Sequence, residues 1–165
     1  MRTLFATILV LTISFSAYGM PEGVPDWVTT PDKLSTWMTA KMEYQAECDD
    51  CDKWKKPEET IKDLGGDCED FAILAKAVLK DLGMESTLIF ISGKEEVEGK
   101  EKTTGHMILI YTNEDGTISW FDNYWLRHSS FTELSELLDK HYPTWTHAAK
   151  SSGRYHHYYG WIERK

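Results

Sequence analysis

The stretch Gly65-Gly66-Asp67-Cys68-Glu69-Asp70-Phe71-Ala72 constrains this chain more than any other. Two adjacent glycines permit close backbone approach and a sharp turn. Asp67 suits a helix N-cap, and Asp70, three residues on, can reach back in capping-box fashion. Phe71, Ala75, Val78, Leu79 and Leu82 then recur at helical spacing until Gly83. The pattern predicts a helix with Cys68 at its first position. Unpaired N–H groups and the helix dipole favour a thiolate there. A structural cysteine falls more naturally on the apolar stripe in mid-helix. Cys68 is therefore a candidate nucleophile, and a base and an orienting acid are to be sought downstream.

His106 begins one predicted strand (Gly105 to Thr112) and Asp122 lies near the end of the next (Thr117 to Tyr124). The intervening Asn113-Glu114-Asp115-Gly116-Thr117 fits a type I turn with Gly116 left-handed in a G1 bulge. In that register Asn113 faces Thr117, Asp122 lies opposite Ile108, and His106 lies opposite Tyr124. His106 and Asp122 then share one face as diagonal neighbours, with Cα atoms roughly 7–8 Å apart. One residue more or less in the turn would put them on opposite faces. With the helix N-terminus packed against that face, Cys68, His106 and Asp122 line up as nucleophile, base and orienting acid.

The remaining elements set the fold class. Thr30-Pro31-Asp32 starts a helix running to about Gln45, with Leu34, Trp37, Met38 and Met42 on its apolar face. An acidic loop from Glu47 to about Lys56 follows, then a short helix from Pro57 to the glycine pair. Ser86 to Ser92 is a β-rich apolar run, and Gly93 to Thr104 is a charged loop without core-forming residues. A fourth helix spans Phe131 to about Tyr142, capped by Ser130 and closed by Pro143. Arg154 to Glu163 reads as a final aromatic strand. Helices precede strands, so the expected class is α+β, with the cysteine-bearing helix on an antiparallel sheet that bears the histidine and aspartate.

The chain has 165 residues, enough for one domain. Residues 1–19 have the marks of a signal peptide: Arg2, an apolar run from Leu4 to Phe15, and small residues around Ala17-Tyr18-Gly19. The expected mature domain is 20–165, periplasmic or secreted, with no membrane attachment after signal removal. The net charge of −9 argues against nucleic acid and anionic lipid as partners. Three cysteines in an exported chain suggest one pair and one free thiol. Cys48 and Cys51 are the disulfide candidates; a redox pair or half a zinc site needs sequence context that is missing. His156 and His157, adjacent on a strand, point to opposite faces and do not share an ion.

The Gly65 to Ala72 stretch, preceded by Trp54 and Pro57-Glu58-Glu59-Thr60 and followed by Gly105-His106 and Trp120-Phe121-Asp122-Asn123, resembles the bacterial transglutaminase-like cysteine peptidases of the papain-related superfamily. The resemblance implies a compact α+β fold and the triad Cys68, His106 and Asp122. Related thiol enzymes place a second oxyanion donor upstream of the cysteine, where Gln45 and Trp54 stand. Some members are periplasmic proteases that depend on calcium beside the catalytic cysteine, and Asp67 and Glu69 match the flanking acids. Helix capping and first-turn charge account for both acids equally well, and calcium needs further oxygen ligands, which the Glu47–Asp52 loop could supply. The expected function is an exported hydrolase cleaving peptide or amide bonds of a peptide or protein substrate through an acyl-thioester. The alternatives are transglutaminase- or amidase-type acyl transfer, and a non-catalytic peptide-binding domain.

Overall fold

The computed structural model describes residues 19–46, 53–154 and 157–164. Most of the expected signal segment, both disulfide candidates (Cys48 and Cys51) and His156 lie outside the described residues. Helix α1 (Pro31–Lys41) starts as expected, with the Thr30 hydroxyl accepting from the Lys33 N–H at 3.3 Å and Pro31 in the first turn. It ends four residues short of Gln45. Glu43 and Tyr44 are extended instead, as β1 (Glu43–Tyr44), and pair in parallel with β2 (Gly65–Gly66). Pairing of Tyr44 with Gly66 ties the end of α1 to the residue two before Cys68.

Helix α2 (Pro57–Asp63) leads into β2 through Leu64, whose φ is 51°. The sharp turn expected of the glycines therefore falls on the leucine before them. The glycines serve close approach: a Cβ on Gly65 would lie 2.6 Å from the Glu43 carbonyl oxygen, and one on Gly66 would lie 2.6 Å from Cβ of Asp70. Helix α3 (Cys68–Asp81) begins at the cysteine. Asp67 holds the cap position, yet its side chain makes no cap hydrogen bond. Only the reach-back half of the capping box forms: the Asp70 carboxylate takes the Asp67 backbone N–H, and it also accepts from the Lys55 N–H at 2.7 Å. Phe71, Leu74, Ala75, Val78 and Leu79 are fully buried, each large one contributing roughly 1.5–3 kcal/mol.

Six strands form one antiparallel sheet: β3 (Thr87–Val97), β4 (Lys100–Thr112), β5 (Ile118–Asp122), β6 (Trp125–His128), β7 (Trp145–Ser151) and β8 (Tyr158–Glu163), in the order β6-β5-β4-β3-β7-β8. Helix α4 (Leu134–His141) connects β6 to β7. Its cap is Glu133, not Ser130. The charged segment 93–104 is not a loop. It extends the β3–β4 hairpin through a Glu98-Gly99 turn with φ of 53° and 75°. Apolar periodicity misses it because its side chains are mostly exposed; backbone pairing and a Lys94–Glu101 contact at 2.8 Å hold it. Strands β6 and β7 are also absent from the sequence expectation, being short or small-residue runs.

The sheet has two covered faces. Leu88, Met107, Leu109 and Phe121 pack with α1 and α3 in one core cluster. Ile89, Ile91, Ile108, Ile118 and Trp120 pack with Leu137 and Leu138 of α4 in another. The β4–β5 pairing puts Asp122 opposite Ile108, as the turn chemistry implies, with Gly116 at φ 85° and the Asn113 N–H donating to the Thr117 carbonyl at 2.8 Å. The ladder stops at Asp122; Asn123 has φ 53° and bends the chain away, so Tyr124 does not pair with His106.

Candidate active site

Strand alternation places His106 with Ile108, and Asp122 with Trp120, on the α4 face. Helix α3, carrying Cys68, covers the opposite face. The expectation that the cysteine helix packs on the histidine face is therefore corrected. Cys68 and His106 nonetheless reach a common space. Both line a cleft of about 130 Å³ with Trp54, Glu69, Phe90, Gly105, Met107 and Tyr158. The terminal position of Cys68 on its helix makes this meeting feasible, because a residue deeper in α3 would face the core under the sheet.

The imidazole and carboxylate are joined directly, His106 Nε2 lying 2.8 Å from Asp122 Oδ1. Tyr142 donates its hydroxyl to Asp122 Oδ2 at 3.1 Å. Burial acts to raise the Asp122 carboxyl, but the hydrogen bond and charge of His106, the Tyr142 hydroxyl and the Arg127 charge outweigh it, and the group lies below the ordinary carboxylate range. A carboxylate so held fixes the imidazole and leaves Nδ1 as the nitrogen available to a thiol.

The thiol itself is in a different state. Cys68 Sγ donates to Glu69 Oε2 at 3.1 Å. Burial, the Glu69 charge and hydrogen bond, and the Asp67 charge push the thiol well above its ordinary value, opposed by the Met107 backbone N–H. The helix-terminus argument for a ready thiolate is overridden by burial together with these two neighbouring acids. Asp70, in the first turn of α3, is also affected: burial and the Asp67 charge push it up to about 6, against the Lys55 backbone hydrogen bond and charge and the Asp67 N–H. Tyr44 feels the same acids, and its phenol is raised by burial and by the Cys68, Asp67 and Glu69 charges.

Of the two oxyanion candidates, Trp54 lines the cleft. Gln45 does not; its backbone N–H donates to the Gly66 carbonyl at 2.8 Å and its side chain lies over Gly65. Sequence reasoning missed Tyr142, Phe90 and Tyr158. Phe90 stacks on Tyr158 with centroids 4.5 Å apart, and together they wall the cleft. Their only sequence signal is aromatic content, which does not separate a wall from a core. For calcium, the described residues supply only part of a site, and the Glu47–Asp52 loop expected to complete it lies outside the described residues. Asp67 and Glu69 supply two of the six to eight oxygens that ion takes, and no cluster of three or more metal-ligating side chains forms among the described residues.

A family profile described as a transglutaminase-like domain matches residues 25–124, more than half of the chain and all three candidate catalytic positions. The chain belongs to the transglutaminase-like domain family. This agrees with the resemblance carried by the Gly65 to Ala72 stretch. Among solved structures, this transglutaminase-like chain is similar to calcium-bound LapG of Legionella pneumophila, with 24% identity, 64% of this chain and 59% of that chain covered, and a TM-score of 0.47. It is likewise similar to EGTA-treated LapG of the same organism, with 21% identity, coverage of 75% and 63%, and a TM-score of 0.45. The match spans about three fifths of the length of those chains. No curated protein matches significantly.

Proposed function

We propose that this chain is an exported cysteine hydrolase of peptide or amide bonds, with Cys68 as nucleophile, His106 as base and Asp122 as orienting acid. The observation that supports this most is that His106, held by Asp122 at 2.8 Å, lines the same cleft as Cys68. Sγ turns from Glu69 and gives its proton to Nδ1 of His106. The thiolate forms a bond to the carbonyl carbon, and the oxyanion is held by the Cys68 backbone N–H at the helix terminus. The imidazolium protonates the amine as the C–N bond breaks, which leaves an acyl-thioester. Water, deprotonated by His106, attacks the thioester; the acid leaves and the thiol is restored.

Export rests on the signal-like character of residues 1–19. Among the described residues no helix is long and apolar enough to cross a membrane. The substrate in this reading is an extended peptide laid against the Trp54, Phe90 and Tyr158 wall. The test is mass spectrometry after reaction with iodoacetamide, comparing wild type with His106→Ala. His106-dependent alkylation of Cys68 is expected, and alkylation at equal rates in both would sink the triad. Incubation of a peptide library with and without an added amine separates hydrolysis from acyl transfer by product mass.

A further inference from the structure

We propose that Tyr142 is a positioning residue for the His106–Asp122 pair, fixing the second oxygen of the Asp122 carboxylate so that the first stays on the imidazole. The inference rests on the triad reading above. Tyr142 lies beyond residues 25–124, the segment shared with the family profile, so it is supplied by the part of the chain that carries α4 and β7. Its hydroxyl donates to Asp122 Oδ2 at 3.1 Å while Oδ1 faces His106 Nε2 at 2.8 Å. Both carboxylate oxygens are thereby engaged, and the plane of the group is set.

The direction of the Tyr142 proton follows from a second contact. Trp120 Nε1 donates to the Tyr142 oxygen at 3.2 Å. An indole N–H is a donor only, so the phenol must accept there and turn its own hydrogen toward Asp122. Burial and the Asp122 charge raise the phenol above its ordinary value, so it stays protonated, and a donor, at neutral pH. The groups facing Asp122 come from three elements: His106 from β4, Tyr142 after α4, and Arg127 from β6, whose charge reaches both Asp122 and Tyr142. The Tyr142 ring also lies beside the imidazole, with centroids 5.7 Å apart and planes tilted by 39°. Pro143 follows directly and holds Tyr142 out of the helical conformation, at φ −130°. Without the phenol oxygen, Oδ2 would lack its donor in a half-buried site, and the carboxylate would be free to rotate off Nε2.

The test uses the whole chain and Tyr142→Phe, which keeps the ring and its packing. Alkylation of Cys68 by iodoacetamide is followed by mass spectrometry across pH 5–10, together with thermal melting. Tyr142→Phe is expected to melt close to wild type and to be alkylated at Cys68 about tenfold more slowly at neutral pH, with a displaced pH profile. The low-field NMR resonance of the His106 Nε2 proton is expected to shift or broaden in the variant. A purely packing role moves neither. A wild-type rate, pH profile and proton resonance in Tyr142→Phe overturns the inference. The His106→Ala control keeps the two readings apart. A fast His106→Ala defeats the triad, whereas a slow His106→Ala beside a wild-type-like Tyr142→Phe defeats only the role of Tyr142.

Discussion

The two faces of the sheet give their carboxylates opposite properties. On the α3 face, Asp67, Glu69 and Asp70 crowd around Cys68, and both the thiol and Asp70 are raised. On the α4 face, Asp122 is likewise part of the site, but His106, Tyr142 and Arg127 surround it and it is lowered. Burial opposes ionisation in all three groups; neighbours of opposite sign or hydrogen-bonding character decide the outcome. The His106–Asp122 pair is thus held by hydrogen bonds on both carboxylate oxygens. The thiol side is restrained by burial and by its own acids, among them Glu69 through its 3.1 Å contact with Sγ.

The largest expected effect tests whether the two faces work together at all. His106→Ala should slow alkylation of Cys68 by about a hundredfold or more; an unchanged rate would mean that the faces are chemically independent. Next comes packing. Gly66→Ala forces a Cβ to within 2.6 Å of Asp70 under α3 and should lower stability by about 3 kcal/mol. Gly105→Ala meets only the Phe90 ring, at 3.1 Å, and should cost less than about 1 kcal/mol. Chemical denaturation of both variants checks this contrast, and equal losses would show that the histidine side is as tightly built as the thiol side.

The two carboxylates should also imprint opposite pH dependence on stability. Asp70 ionises less readily folded than unfolded. Its contribution is full below about pH 4 and is lost as pH rises through about 6, a change on the order of 2 kcal/mol. Asp122 ionises more readily folded than unfolded, so its contribution is present above about pH 4 and is lost as pH falls through its lowered folded value. Denaturation of Asp70→Asn and Asp122→Asn against wild type between pH 3 and 7 checks both signs; slopes of the same sign would refute the contrast. A further effect concerns the restraint itself. Glu69→Gln removes the charge that holds the thiol up, so Cys68 should be alkylated about tenfold faster at neutral pH. A rate equal to wild type would show that burial alone restrains the thiol.

Much of this site is legible in the sequence. Cys68 at the first position of a helix follows from glycines, an acidic cap position and apolar spacing. The opposition of Asp122 and Ile108 follows from a turn whose Gly116 must be left-handed. These are local rules, and they hold because neighbours in sequence impose them. The departures have local causes too. A glycine pair suggests a turn, but Leu64 makes it and the glycines make room. Segment 93–104 has the composition of a loop because a solvent-exposed hairpin has no buried stripe to announce it.

The sequence by itself determined the candidate residues, the helix that presents the thiol and the hairpin register that puts His106 and Asp122 on one face. Only the tertiary structure decided which face of the sheet each group occupies. Register fixes relations within a sheet, but which helix covers which side depends on how distant apolar surfaces are matched. It also decided that Glu69 restrains Cys68 and that Tyr142, 20 residues past Asp122, closes the far side of the carboxylate. Those contacts depend on burial and on side chains brought together from separate elements, and no spacing along the chain encodes them.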